Sequence, residues 1–127
     1  NNSDELFIQE SNLIKDLADK ESCVIVGRCA DFILKDKRNV LKIFVSSSME
    51  NKIKRATEFY HMDKENAEKE IARINKLRSN HYEYYTERGW ETPSNYDICV
   101  NSDSIGINNV VDLICSIVEK SKELAIK

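Results

Sequence analysis

Lysines and arginines crowd the middle of this 127-residue chain: Lys52, Lys54, Arg55, Lys64, Lys69, Arg73, Lys76, Arg78 and Arg88 fall within one stretch. Cations at such density suit a polyanionic small molecule, and they equally suit a solvated helical surface. Two places sharpen the choice. Arg28 directly follows the apolar run Cys23-Val24-Ile25-Val26, with Gly27 between them to permit a tight turn. A guanidinium there is well placed to grip a phosphate bidentately; otherwise it is a surface residue or a partner for Asp31. The spacing also predicts a helix over Asp63–Tyr85. At about 100° per residue, Lys69, Arg73 and Lys76 share one face, while Arg78 falls opposite, in line with Ile71 and Ile74. An arginine in an apolar stripe is costly to bury without an anion. Arg78 therefore faces a ligand cleft, or the helix bends near Asn75, or the side chain snorkels to water. His81, Tyr82, Tyr84 and Tyr85 on the same helix read as a packing patch more readily than as a base-stacking platform.

The elements that must carry these residues alternate. Leu6, Phe7, Leu13, Ile14 and Leu17 have helical spacing over residues 4–20, with Ser3 as N-cap and acids in the first turn. Cys23–Val26 reads as a strand buried on both faces, and a short helix follows through Ala30, Phe32, Ile33 and Leu34. A second buried strand is predicted over Val40–Val45. Ser46-Ser47-Ser48 then caps a helix containing Ile53, Ala56 and Phe59. Gly89-Trp90-Glu91-Thr92-Pro93 breaks the long helix, Tyr96–Val100 forms a third strand, and a last helix covers Asn108–Leu124 with Val110, Val111, Ile114, Ile117 and Val118 inward. Strands alternating with helices indicate parallel strands in a layered α/β fold. Ligands of such folds bind at the carboxyl ends of strands, here Gly27-Arg28, Ser46-Ser47-Ser48 and Asn101-Ser102. The serines are read chiefly as caps.

The bulk properties exclude several classes. With 41% hydrophobic and 32% charged residues, the chain is one domain able to bury a core unaided. A net charge of −3 argues against a general nucleic-acid binder. No run approaches a membrane span, and Asn1-Asn2-Ser3-Asp4-Glu5 is unlike a signal peptide, so a cytoplasmic protein is expected. Cys23, Cys29, Cys99 and Cys115 form no CxxC pair and read as small buried hydrophobes of a reducing compartment. His61 and His81 are too isolated to complete a zinc set, and no metal site is expected.

Four consecutive blocks carry a family resemblance: SCVIVGRCADFIL (Ser22 to Leu34), LKIFVSSSMENKIKRATEFY (Leu41 to Tyr60), IARINKLRSNHYEYYTERGW (Ile71 to Trp90) and YDICVNSDSIGINNVVDLI (Tyr96 to Ile114). In that order they resemble the cytidylate-kinase-like family. The resemblance implies a three-layer, P-loop-kinase-like parallel sheet with flanking helices, a lid at about residues 61–92, and phosphoryl transfer from ATP, with Mg²⁺, to a pyrimidine nucleotide such as CMP. By position, Arg28 resembles the arginine that holds the acceptor phosphate. Arg73 and Arg78 resemble the catalytic lid pair that closes over the transferred phosphoryl. Arg55 resembles a substrate-binding cation on the helix leading to the lid, and Lys76 lies among the same basic residues.

Two departures qualify what the resemblance implies. Related lids usually carry an aspartate between the arginines, where this chain has Asn75. No GxxxxGK[ST] occurs, since Gly27, Gly89 and Gly106 are the only glycines and none precedes a lysine. The family's first strand and phosphate loop are therefore absent from these residues, and without that backbone cradle the chain alone is expected to be inactive. A sheet missing its central strand leaves exposed edges, which predicts association between copies. The rival readings are a non-catalytic nucleotide- or protein-binding regulatory module with a kinase-like fold, and a helix-rich interaction domain.

Overall fold

A computed structural model describes residues 2–122. The backbone divides into two compact units, the first ending at Val40 and the second beginning at Leu41. The first holds α1 (Asn2–Lys20) and the short α2 (Ala30–Ile33). The second holds β1 (Ile43–Ser46), α3 (Met49–Phe59), α4 (Lys64–Thr86), β2 (Ile98–Asn101), α5 (Ser102–Ile105) and α6 (Ile107–Glu119). No described helix is long and apolar enough to cross a membrane.

In the first unit, Ile14 of α1 packs with Ala30 and Leu34, and Ala18, Ile25, Ile33 and Val40 close around them. The helix starts at Asn2, so Ser3 is not its N-cap but lies inside the first turn. Leu6 and Leu13, expected to face inward, are exposed. Cys23–Val26 is not a strand. Ile25 alone turns toward the small core, while Val24 and Val26 are 92% and 80% exposed. The run is extended enough to alternate, but no described strand pairs with it, and an unpaired segment buries at most one face. Gly27, Arg28 and Cys29 then take three consecutive left-handed conformations (φ +70°, +60° and +57°). The turn expected from Gly27 is present, and it extends through two residues that pay a steric penalty there.

In the second unit, β1 and β2 form a parallel pair with Ile43 opposite Ile98 and Ser46 opposite Asn101. The parallel arrangement follows the expectation; the second strand begins at Ile43 rather than Val40, and its Val45 is exposed rather than buried. Two N-caps fix the helix starts. Ser48 Oγ accepts from Asn51 N–H at 3.1 Å and Asp63 Oδ1 from Asn66 N–H at 2.9 Å, each cap stabilising its helix by about 1 kcal/mol. Helices α3 and α4 pack together, with Ala56 on α3 buried and Ala67 on α4 fully buried. Thr86 closes α4, its hydroxyl donating to Tyr82 O and accepting from Arg88 N–H, while Glu87 turns left-handed.

Helix α6 carries Asn108, Asn109, Asp112, Ser116 and Glu119 along one side and a wide apolar stripe along the rest. Val110 is buried and Ile114 and Ile117 are half-buried, but Val111 and Val118, expected inward, are exposed. The expected last helix ran to Leu124, which lies outside the described residues. The cysteines also depart from expectation: only Cys29 is buried, and Cys23, Cys99 and Cys115 are exposed. Cys23 follows from the missing strand pairing, and Cys99, opposite Phe44 in the register, borders an open cavity.

Candidate functional site

A cavity of about 740 Å³ opens in the second unit. Its floor is β1, through Phe44, Val45, Ser46 and Ser47; α3 contributes Lys52, Arg55 and Ala56; α4 contributes Glu70, Ile71, Ile74, Asn75 and Arg78; Trp90, Glu91 and Pro93 close it. The carboxyl end of a parallel strand therefore borders the cavity, as α/β geometry requires of a ligand site.

The cations arrive by helical spacing. Lys52 and Arg55, three residues apart on α3, present one face, and both are half-buried. Arg78 comes from α4, which runs unbroken past Asn75. Of the alternatives open from the sequence, the helix bend is removed. Arg78 is exposed and lines the cavity, its guanidinium carbon 5.8 Å from the centroid of the Trp90 ring. A cation over an indole gains up to about 1 kcal/mol at such a site, with no burial cost.

Trp90 is held from several sides. Its carbonyl accepts from Tyr96 Oη at 2.6 Å, and Asn95 Nδ2 donates to Gly89 O at 2.9 Å. A Cβ at Gly89 would meet Thr92 Oγ1, and that hydroxyl would have to rotate away. Phe44 meets Trp90 edge-on at 5.7 Å and Tyr96 at 5.0 Å, an aromatic group of which Phe44 and Trp90 line the cavity.

Arg73 and Lys76, on the other face of α4, are exposed and do not line the cavity. Arg73 grips Glu70 bidentately, its Nε donating to Oε2 at 3.0 Å, and this hydrogen bond holds the Glu70 carboxyl below its usual range. Lys69 pairs with Glu65 at 3.5 Å in full exposure, worth little. Arg28 belongs to the first unit. Its side chain is 69% exposed and its Nη1 reaches Glu10 Oε1 at 3.4 Å, so it lies at the surface beside the Glu10 carboxylate.

Asp103, which the sequence reading passed over, organises the serine segment. Its Oδ1 accepts from Ser47 Oγ and its Oδ2 from Ser48 N–H, both at 2.7 Å. The backbone bond from Ser48, then the Ser47 hydroxyl, pull its pKa down to about 2. Ser102 Oγ donates to Ser46 O at 3.1 Å and Ser46 Oγ to Val100 O at 3.2 Å, stitching the two strand ends together. The serines thus act as caps and ties, as expected, and the anion at the start of α3 is a carboxylate of the chain itself. Lys52 was legible as the i−3 neighbour of Arg55. Trp90 carried only the signal of a lone indole after a glycine, and Asp103 only that of an acid just past a strand.

The chain matches the cytidylate kinase-like family over residues 1–104. It belongs to that family. A crystal structure of an uncharacterized protein from Eubacterium ventriosum is similar, at 31% identity and a TM-score of 0.84, covering 90% of this chain and 65% of that one. This chain thus spans about two thirds of that protein's length. None of the curated proteins compared matches it.

Proposed function

We propose that this chain is the lid-bearing part of a cytidylate-kinase-like phosphotransferase, moving a phosphoryl group from ATP to a pyrimidine nucleoside monophosphate such as CMP. The observation that carries this reading is the convergence of Lys52, Arg55 and Arg78 on one cavity at the end of β1, lined also by Phe44 and Trp90. Phosphoryl transfer needs little from a protein beyond positioning and fixed cations aimed at spread-out negative charge. On this reading the two-stranded sheet is part of the larger three-layer parallel sheet of P-loop kinases. Arg55, Arg78 and Lys52 meet nucleotide phosphates in the cavity. Arg73 and Lys76 join from the lid helix when it closes, Arg73 leaving Glu70. Arg28 exchanges Glu10 for the acceptor phosphate, its 3.4 Å contact being long and exposed.

The family's chemistry uses Mg²⁺ with ATP. Glu70 and Glu91 border the cavity, but no cluster of three His, Cys, Asp or Glu side chains that could hold a metal occurs among the described residues. Glu70 and Glu91 do not build a metal site, and holding phosphate is assigned to Lys52, Arg55 and Arg78. The lack of GxxxxGK[ST] in the sequence favours one second reading for the chain by itself, a nucleotide-binding module without transfer activity.

Calorimetric titration with CMP and with ATP tests the site. A charge-assisted contact contributes about 1.5–3 kcal/mol, so Arg55→Ala and Arg78→Ala should each weaken binding by about tenfold or more. Equal affinity in parent and both variants would remove the cavity from the function.

A further inference from the structure

We infer that Asp103 is a positioning residue for the cation face of α3, acting on a bound anion without touching it. The inference rests on the reading of the cavity as a phosphate site. Asp103 does not line the cavity. Its carboxylate instead takes hold of both Ser47, which does, and Ser48, the N-cap of α3. Its own backbone N–H is fixed by Asn101 Oδ1 at 2.9 Å, so the carboxylate is anchored to the end of β2. The chain of contacts runs from β2 through Asp103 to the first turn of α3. One turn further on, that helix presents Lys52 and Arg55.

Charge-assisted bonds to a carboxylate are roughly twice as strong as neutral ones, and two of them on one group fix direction as well as distance. Replacing the carboxylate by an amide keeps the shape, with the amide oxygen on the Ser48 N–H and the N–H₂ on the Ser47 hydroxyl, but both bonds lose their charge assistance. Both anchors weaken, and the start of α3 is freer to shift. A small displacement there is carried rigidly along the helix to Lys52 and Arg55. Arg78, on α4, is held independently by its own helix and by Trp90. The consequence is selective: Asp103 acts through the α3 cations and not through Arg78.

A double-mutant cycle with inorganic tripolyphosphate as the probe separates this role from general destabilisation, because residues acting through one another are non-additive and independent ones add. Asp103→Asn should weaken tripolyphosphate binding by about fivefold in the parent and by about the same factor in Arg78→Ala, but have little further effect in Arg55→Ala. Ser47→Ala, which removes one anchor only, should show the same pattern at smaller size, and serves if Asp103→Asn does not fold. The Ser48 amide proton resonance should move upfield in Asp103→Asn. Unchanged affinity, or equal losses in both arginine backgrounds, overturns the role of Asp103 while leaving the site intact. Failure of the parent to bind tripolyphosphate at all overturns the phosphate site and this role with it.

Discussion

Asp103 and Cys29 are the residues whose ionisation the fold changes most visibly, and in opposite directions. The Asp103 carboxyl falls from its ordinary 3.8 to about 2 because Ser48 N–H and the Ser47 hydroxyl both donate to its charged form. A carboxyl whose folded pKa is depressed adds stability that is present above the unfolded pKa and lost as pH falls toward the folded value. Urea unfolding of the parent should therefore lose stability between about pH 4 and pH 2, and Asp103→Asn should lose less over that window. Identical pH profiles would mean the two hydrogen bonds are not made in solution. Cys29 goes the other way: burial first, then Asp31 and Glu10, push its thiol up to about 11. The thiolate is the reactive form, so at pH 8 maleimide should modify Cys23, Cys99 and Cys115 quickly and Cys29 only slowly. Four equal labelling rates by mass spectrometry would contradict the burial of Cys29.

At the scale of elements, α3 and α4 pack together, and Ala67 on α4 has no exposed surface. Ala67→Leu should overpack this contact and cost about 1–3 kcal/mol in urea unfolding, shifting the cavity walls that both helices supply. A neutral result would mean the pair is looser than its geometry implies. These two helices were the most legible part of the sequence, because a 3.6-residue period and the caps Ser48 and Asp63 are local signals. Arg78 was singled out by its helical position in line with Ile71 and Ile74, and Arg55 by the family resemblance; both line the cavity. The strand over Cys23–Val26 was misread because a continuous apolar run states a propensity, whereas being a strand needs a partner elsewhere in the chain. Val111 and Val118 were misplaced on similar grounds: periodicity separates the polar side of α6 from its apolar side, but not how much of a wide apolar stripe is covered, and here only the part with Val110, Ile114 and Ile117 is. Asp103 and Trp90 escaped because what they do depends on contacts with Ser48 and Arg78, far off in sequence.

At the scale of the whole molecule, an extended segment with Val24 and Val26 exposed, and a two-stranded sheet, leave backbone and apolar surface open to a second chain. Sedimentation of the 127-residue chain should show concentration-dependent association, reduced by Val24→Lys together with Val26→Lys; a monomer at all concentrations would argue against open edges. The same chain should transfer no phosphoryl group from MgATP to CMP in a coupled assay, because side-chain cations do not replace a backbone cradle around the donor phosphates. Clear turnover by the purified chain would show that such a cradle is not needed here.

The central claim is that the cavity of the second unit receives nucleotide phosphate, and chemical-shift mapping tests it most directly. The chain has a single tryptophan, so its indole N–H is one assignable resonance in the cavity wall. Titration with CMP or ATP should move that resonance together with the amides of Ser47, Lys52, Arg55 and Arg78. Nucleotide that shifts none of these, or only residues on other faces of the unit, would contradict the account.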